Sequence, residues 1–246
     1  MISAVVITKN EQEIISRCLS KLKFCNEIII VDDFSTDNTL KIAKKYTSKI
    51  FKHHLSDNFS DQRNFGLRKA KNNWVLFVDS DEIITFSLAK EITSKINNSS
   101  NDAYYIKRID YFFGKRMNWG EFLNKKFIRL IKKNKGKWVR PVHEYWFTKG
   151  KVGILNNHIK HYSHSSISVL INKINYYSGI NANYLYYQKE RGSMFEVFFY
   201  PSIKFIHNYI LKLGFLDGFY GLIFSMFMSL HSFLSRLKLY FLWYGR

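Results

Sequence analysis

Asp79 and Asp81 stand one residue apart around Ser80, directly after the apolar run Trp74-Val-Leu-Phe-Val78. On extended backbone the side chains at i and i+2 point the same way, so both carboxylates can face one ligand. Held that close, they repel each other unless a cation sits between or beside them. A hard divalent ion accepts carboxylate oxygen and keeps positions open for phosphate oxygens. In that place it neutralises the charge that develops on a leaving diphosphate. Taken alone the pattern is weak, because aspartates at this spacing also cap helices or line solvated loops.

A second cluster is His158, His161 and His164, at three-residue intervals. On a helix they would roughly share a face and could hold a metal. The preceding Leu155-Asn-Asn segment reads as strand, where that spacing alternates faces, so structural hydrogen bonds are the favoured reading.

The elements that position these residues follow from hydrophobic periodicity. Ser3 to Thr8 and Glu27 to Asp32 are short apolar runs rich in β-branched residues, as expected of strands buried on both faces. Between them Ile14, Ile15, Cys18, Leu19 and Leu22 recur at helical spacing. After Asp32 the run Asp33-Phe-Ser-Thr-Asp37 offers cap chemistry to a helix from Thr39 to Tyr46. A short strand at Ile50-Phe51, a polar stretch from His53 to Ser60 and a helix from about Asp61 to Lys71 lead into the strand at Trp74. Strand and helix in alternation predict βαβ units and a mostly parallel sheet with flanking helices, an α/β fold. Ligands of such sheets bind beyond the carboxyl ends of the strands. Thr8-Lys9-Asn10-Glu11, Asp32-Asp33 and Asp79-Ser80-Asp81 all lie at such ends, so three polar turns can meet in one crevice.

From Tyr104 to His161 the pattern is mixed strand and loop, and from about Ser165 helix prevails. Pro201 marks a plausible start for the hydrophobic tail. Residues 201–246 are dense in Phe, Leu, Ile and Tyr, with five basic residues against Asp217 alone. A membrane-spanning helix needs about 20 apolar residues. Gly218 to Leu230 falls short, bracketed by Asp217 and His231. An in-plane amphipathic helix on a membrane ranks first and packing against the catalytic domain second, and the two can coexist.

The net charge of +19 favours an anionic partner without choosing among nucleic acid, acidic lipid and phosphorylated substrate. With 46% apolar residues a sizeable core is affordable and a folded chain is expected. Cys18 and Cys25 lack the spacing of a disulfide framework or zinc site, and no basic segment precedes a cleavable apolar one, so a reducing cytoplasm fits best. Nucleic-acid binding is the rival class, but the basic residues are scattered and no recognition motif appears, so no nucleic acid is expected. A nicotinamide-dependent dehydrogenase would need GxGxxG after the first strand, where Thr8-Lys-Asn-Glu11 stands instead.

The order Val5-Val-Ile-Thr-Lys-Asn-Glu11, Ile29-Ile-Val-Asp-Asp-Phe-Ser-Thr-Asp-Asn-Thr39, Gln62-Arg-Asn-Phe-Gly66 and Phe77-Val-Asp-Ser-Asp-Glu82 closely resembles family 2 glycosyltransferases. The resemblance implies a GT-A fold, an inverting mechanism and a nucleotide-sugar donor. It places Thr8, Asn10 and Glu11 along the nucleotide, Asp32 or Asp33 at the base or ribose, and Arg63 at the base or a phosphate. Asp79, Ser80 and Asp81 would hold the sugar nucleotide, with Asp79 and Asp81 meeting Mg²⁺ or Mn²⁺.

The family's usual acid followed by Arg-Trp is absent, and Val142-His143-Glu144 stands in its place. With Arg129-Leu130 and Gly214-Phe-Leu-Asp-Gly218, this variant resembles the bacterial lipopolysaccharide inner-core β-1,4-glucosyltransferase subfamily. That subfamily implies hexose transfer, glucose from UDP-glucose, onto a lipid-linked oligosaccharide at the cytoplasmic face of the inner membrane, with the enzyme peripheral to an anionic surface. A polyprenyl-phosphate acceptor would suit the tail equally. Inverting transfer needs one general base; Glu144 is the candidate and His143 the runner-up. The expected organisation is a catalytic domain over 1–164, with a donor half to about 100 and an acceptor half beyond it, then a helical membrane-associating extension over 165–246.

Overall fold

The computed structural model describes residues 1–97, 99–141, 144–163 and 166–245, the side chain of Ser163 excepted. In chain order the first elements are β1 (Ile2–Thr8), α1 (Ile15–Ser20), β2 (Glu27–Asp32), α2 (Thr39–Ala43), β3 (Ile50–Lys52), α3 (Phe59–Lys69) and β4 (Trp74–Asp79). They continue with β5 (Glu82–Ile84), α4 (Phe86–Asn97), β6 (Ala103–Phe112), β7 (Lys115–Met117), β8 (Lys126–Lys132), β9 (Lys137–Val139), β10 (Tyr145–Phe147) and β11 (Val152–Ser163). The helices α5 (Ile167–Tyr187), α6 (Met194–Ile206) and α7 (Phe219–Tyr244) complete the chain. Two compact units result: Met1–Ile109 with Lys126–His161, and Asp110–Lys125 with Tyr162–Arg246.

In the first unit β3, β2, β1 and β4 pair in parallel, as the βαβ alternation predicts. Beyond β4 the sheet turns antiparallel, with β8 against β4 and β6 against β8; β11 comes next and β5 lies antiparallel to it. This is the mixed α/β sheet of a GT-A fold. Alternate residues of β1 serve opposite faces, which explains the unbroken apolar run. Ile2, Ala4 and Val6 pack with Cys18 and Leu19 of α1 and with Leu88 and Ile92 of α4. Val5 packs on the other face with Phe77, Leu67 of α3, and Trp138 and Trp146 of the β9–β10 hairpin. Each such fully buried side chain stabilises the fold by about 1.5–3 kcal/mol. Cys18 is therefore core packing, and burial pushes both free thiols up in pKa, Cys25 to about 12.

Helices α1 and α2 are shorter than the periodicity predicts, whereas α3 has the expected length. At Leu22 and Tyr46 the backbone amides bond three residues back, to Leu19 and Ala43, so tighter turns carry the apolar stripes past the last α-helical residue. Helix α3 sits close to the sheet because of Gly66. A Cβ there would lie 2.4 Å from Val5 Cγ1 and 3.1 Å from Val31 Cγ2. The glycine thus sets how near Arg63, one turn earlier, stands to the strand ends.

In the second unit α7 packs against both α5 and α6. Ser166 and Ser193 cap α5 and α6 by accepting the amides of Val169 and Glu196, each at 3.2 Å. Phe112, Met117, Phe122, Leu170, Ile174 and Phe224 form its core. Asp217 draws Asp110–Lys125 into this unit by accepting the amides of Asn118 and Trp119 at 3.0 and 2.8 Å. Pro201 is not a boundary, contrary to the sequence expectation: it lies inside α6. Proline removes one donor from the helix ladder, and at the same residue the carbonyl accepts the Ser229 hydroxyl of α7 at 2.7 Å.

Candidate active site

Register brings the three polar turns level. Thr8 lies opposite Asp32 across β1 and β2, and Ile7 lies opposite Asp79 across β1 and β4. Asp79 is gripped from two sides. Arg129, from β8, donates through Nη2 to Asp79 Oδ2 at 2.5 Å and to Glu82 Oε1 at 3.0 Å. Arg63, from α3, donates through Nη2 to Asp79 Oδ1 at 3.0 Å and through Nε to Glu144 Oε1 at 2.8 Å. The Arg63 guanidinium also lies over the Trp138 ring, 5.0 Å from its centroid. Two arginines and three acids therefore form one network in which Arg63, Arg129 and Glu82 are buried.

The charges in this network shift one another. Burial alone would raise the pKa of Asp79, but Arg129 and then Arg63 outweigh it and hold the carboxyl well below the usual range. Glu82 shows the reverse balance: burial, with the Asp79 charge adding to it, raises its pKa despite Arg129. Arg129 is driven further toward its charged form by Asp79 and Glu82, against the cost of burial. Three buried polar atoms here have no hydrogen-bond partner among the described residues: Thr8 Oγ1, Arg63 Nη1 and Arg129 Nε. Unpaired buried polar atoms are rare in folded proteins, and three of them around one ion-pair network mark it as more than packing.

Although Asp81 follows Asp79 at i+2, it keeps different company. Its Oδ2 lies 3.3 Å from Nε2 of His161, which β11 carries opposite Glu82 of β5. Among the described residues no three His, Cys, Asp or Glu side chains enclose an ion. Ions of the Mg²⁺ class take one or two protein ligands and fill their remaining positions with phosphate oxygen and water. Asp81 offers the one carboxylate that such an ion needs, with His161 beside it. Both oxygens of Asp79 already accept from arginines.

On the nucleotide side Asp32 is fully buried and accepts the Ser35 amide at 3.0 Å and the Ser35 hydroxyl at 2.5 Å. It shapes the turn. Asn10 Oδ1 accepts the Thr36 amide at 2.8 Å, and the Glu11 amide donates to Thr39 Oγ1 at 2.8 Å, so these two residues join the first turn to the second. Asp33 Oδ1 accepts the Leu55 amide at 3.1 Å and its Oδ2 meets Lys9 at 2.7 Å. Burial would raise the pKa of Asp33, but Lys9 and the Leu55 amide lower it. The next residue, Phe34, holds a left-handed φ of 53° and stacks on His54 with ring centroids 3.9 Å apart. Ser80 is buried between the two aspartates. His143 and His164 lie outside the described residues.

Sequence reading named Arg63, Asp79, Asp81 and Glu144, and the structure brings Arg63, Asp79 and Glu144 together. It did not assign roles to Arg129, Glu82, His161 at Asp81, or the Phe34–His54 stack. One signal was present: Arg129 is a charge inside the apolar run Ile128 to Ile131, which a buried strand tolerates only with a partner.

A mixed sheet whose parallel half gathers acids and arginines beyond the carboxyl ends of its strands is the arrangement of a GT-A fold. Residues 3–151 match Glycosyl transferase family 2, and the chain belongs to that family. An uncharacterized glycosyltransferase of Rickettsia typhi is 31% identical over 97% of this chain and 86% of its own length. The lipopolysaccharide core biosynthesis glycosyltransferase LpsC of Rhizobium meliloti is 26% identical over 97% of this chain and 92% of its own. Among solved structures, S. aureus TarS 1–349 in complex with UDP-GlcNAc superposes with a TM-score of 0.52 at 16% identity. That match covers 100% of this chain and 92% of TarS 1–349, and it is a likeness of fold.

Proposed function

We propose that this glycosyltransferase moves a hexose from a nucleotide-sugar donor, UDP-glucose in the first instance, onto a lipopolysaccharide core or related lipid-linked oligosaccharide, with inversion at the anomeric carbon. The observation that carries the reading is the network in which one buried arginine, Arg63, holds both Asp79 and Glu144 while its Nη1 is left for a ligand. The LpsC relative supports the core-oligosaccharide acceptor, and the UDP-GlcNAc complex of TarS supports the donor class. The acceptor places the enzyme at the cytoplasmic face of the inner membrane as a peripheral protein.

Each residue then has a task. Asp33 and Asn10, with Thr8 and Glu11, line the base and ribose, and Asp32 keeps their turn closed. Arg63 Nη1 and Arg129 Nε donate to diphosphate oxygens, where fixed donors need no reorganisation during reaction. Asp81, with His161 beside it, would hold Mg²⁺ or Mn²⁺, which would supply positive charge to the departing diphosphate. Glu144 accepts the proton of the acceptor hydroxyl as that oxygen bonds to the anomeric carbon and the bond to the diphosphate breaks. Arg63 occupies Oε1, which leaves Oε2 of Glu144 for the proton. Attack opposite the leaving group inverts the configuration.

A thermal-shift screen of UDP-, GDP-, ADP- and CMP-sugars with and without Mn²⁺ tests the donor reading. UDP-glucose should raise the melting temperature in the presence of Mn²⁺ and much less in EDTA. Bound ligand at about 100 times Kd stabilises by about 2.7 kcal/mol, which corresponds to roughly 5–11 °C for a chain of this size. Stabilisation by no nucleotide sugar would remove the donor assignment.

A further inference from the structure

Helix α6 is amphipathic in the unusual sense that its apolar stripe faces outward. Phe195, Phe199, Ile203, Ile206 and Ile210 recur at four-, four-, three- and four-residue spacing, which on a helix forms one stripe. Their exposures are 65, 50, 59, 47 and 52%. The opposite side of the same segment carries the inward contacts: Val197 and Asn208 are buried, and Pro201 meets Ser229 of α7. Leu211 and Leu216, between α6 and α7, and Phe219, the first residue of α7, are 69, 53 and 71% exposed. Soluble monomers rarely present this much contiguous apolar surface to water, and where they do it covers a partner or a lipid phase.

Charge around the stripe selects the occupant. The acids beside it are turned inward, Glu196 onto Arg236 at 3.2 Å and Asp217 onto the amides of Asn118 and Trp119. Of the basic side chains described in this segment, Lys204 meets Glu121, Arg236 meets Glu196 and Lys238 bonds to Asn175 and Ser178, while Lys212 follows the stripe and the chain as a whole carries a net charge of +19. A chain of net charge +19 whose apolar stripe has its nearby acids, Glu190 and Glu196, facing Arg236 repels its own copy across a two-fold interface, and it complements an anionic lipid surface. Among the described residues no helix is long and apolar enough to cross a membrane. We infer that α6 and the turns up to Phe219 form a monotopic insertion surface, lying in the plane of an anionic bilayer with the Phe195–Ile210 stripe in the acyl boundary. Helix α7 then serves as the packed support between α6 and α5 rather than as the membrane element.

This extends the reading of a membrane-borne acceptor, and its test is independent of donor binding and catalysis. The full-length protein is sedimented with vesicles of phosphatidylethanolamine and phosphatidylglycerol, with phosphatidylcholine vesicles alongside. Wild-type protein should pellet with the anionic vesicles and less with the zwitterionic ones. The double variant Phe199→Glu/Ile203→Glu should lose more than tenfold in partitioning, and Leu211→Lys/Phe219→Lys should lose less. Phe86→Glu, a control at an exposed aromatic on α4, should behave as wild type. Circular dichroism and UDP-glucose stabilisation of each variant separate loss of insertion from loss of fold or of the donor site. Wild-type protein left in the supernatant would overturn the inference. So would a folded Phe199→Glu/Ile203→Glu variant that pellets normally, or a lipid-free dimer that the same variant dissociates.

Discussion

Glu144→Gln is expected to lower the turnover number by about 10²–10⁴-fold, the usual contribution of a positioned general base, while the affinity for UDP changes little. Glutamine keeps an oxygen that can still accept from Arg63 Nε, so the arginine stays in place and its second contact, Asp79, is undisturbed. What disappears is the ability to take a proton from the acceptor. Measuring kcat with a deacylated core oligosaccharide, beside UDP titration, separates the two effects. His143→Ala is the companion, because an imidazole in that position is the other candidate base. Near-normal turnover in Glu144→Gln with collapse in His143→Ala would reassign the role.

Arg129→Met should destabilise the fold by about 3–5 kcal/mol, the cost of leaving a buried charge without its partner. In a chain of this size that is a fall of roughly 6–20 °C in melting temperature. Glu82 has no exposed surface, and in the variant its nearest cation is Arg108, 3.8 Å away. The double variant Arg129→Met/Glu82→Gln should regain part of the loss, since the orphaned acid is then neutral. Asp79 has a depressed folded pKa, so its contribution in the wild type is present above the unfolded value of about 3.9 and is lost as pH falls toward the folded one. Glu82 has a raised folded pKa, so its contribution is present below its unfolded value of about 4.3 and is lost as pH rises through the folded one. With Arg129 gone the Glu82 behaviour should dominate, and the deficit of the variant should narrow as pH is lowered from neutrality. Calorimetric melting across pH checks this, and a variant that melts like wild type would show that Arg129 carries no structural load.

The donor half was legible because its physics is local. Strands buried on both faces appear as unbroken runs of Val and Ile, and each ends on a polar turn that names its own side of the sheet. The network around Asp79 was not legible in the same way. Arg63 and Glu144 are 81 residues apart, and Arg129 and Asp79 are 50. The meeting of Arg129 and Asp79 depends on β8 lying antiparallel to β4, which no periodicity announces. His161 reaches Asp81 because β11 runs antiparallel to β5, a pairing set by the sheet and not by the three-residue spacing of the histidines. The two aspartates share a motif, but β4 ends at Asp79 and the chain turns at Asp81, so different neighbours divide their roles, one clamped by guanidinium and the other beside imidazole. Proline inside α6 misled the reading of the tail because it more often ends a helix than lies within one.

Isothermal titration of UDP-glucose into wild-type protein and Asp81→Asn, each with Mn²⁺ and with EDTA, tests the central claim most directly. The account predicts tight binding only for wild-type protein with Mn²⁺, and weak, metal-independent binding for Asp81→Asn in both buffers. Equal affinity of wild type and Asp81→Asn in Mn²⁺ would contradict it.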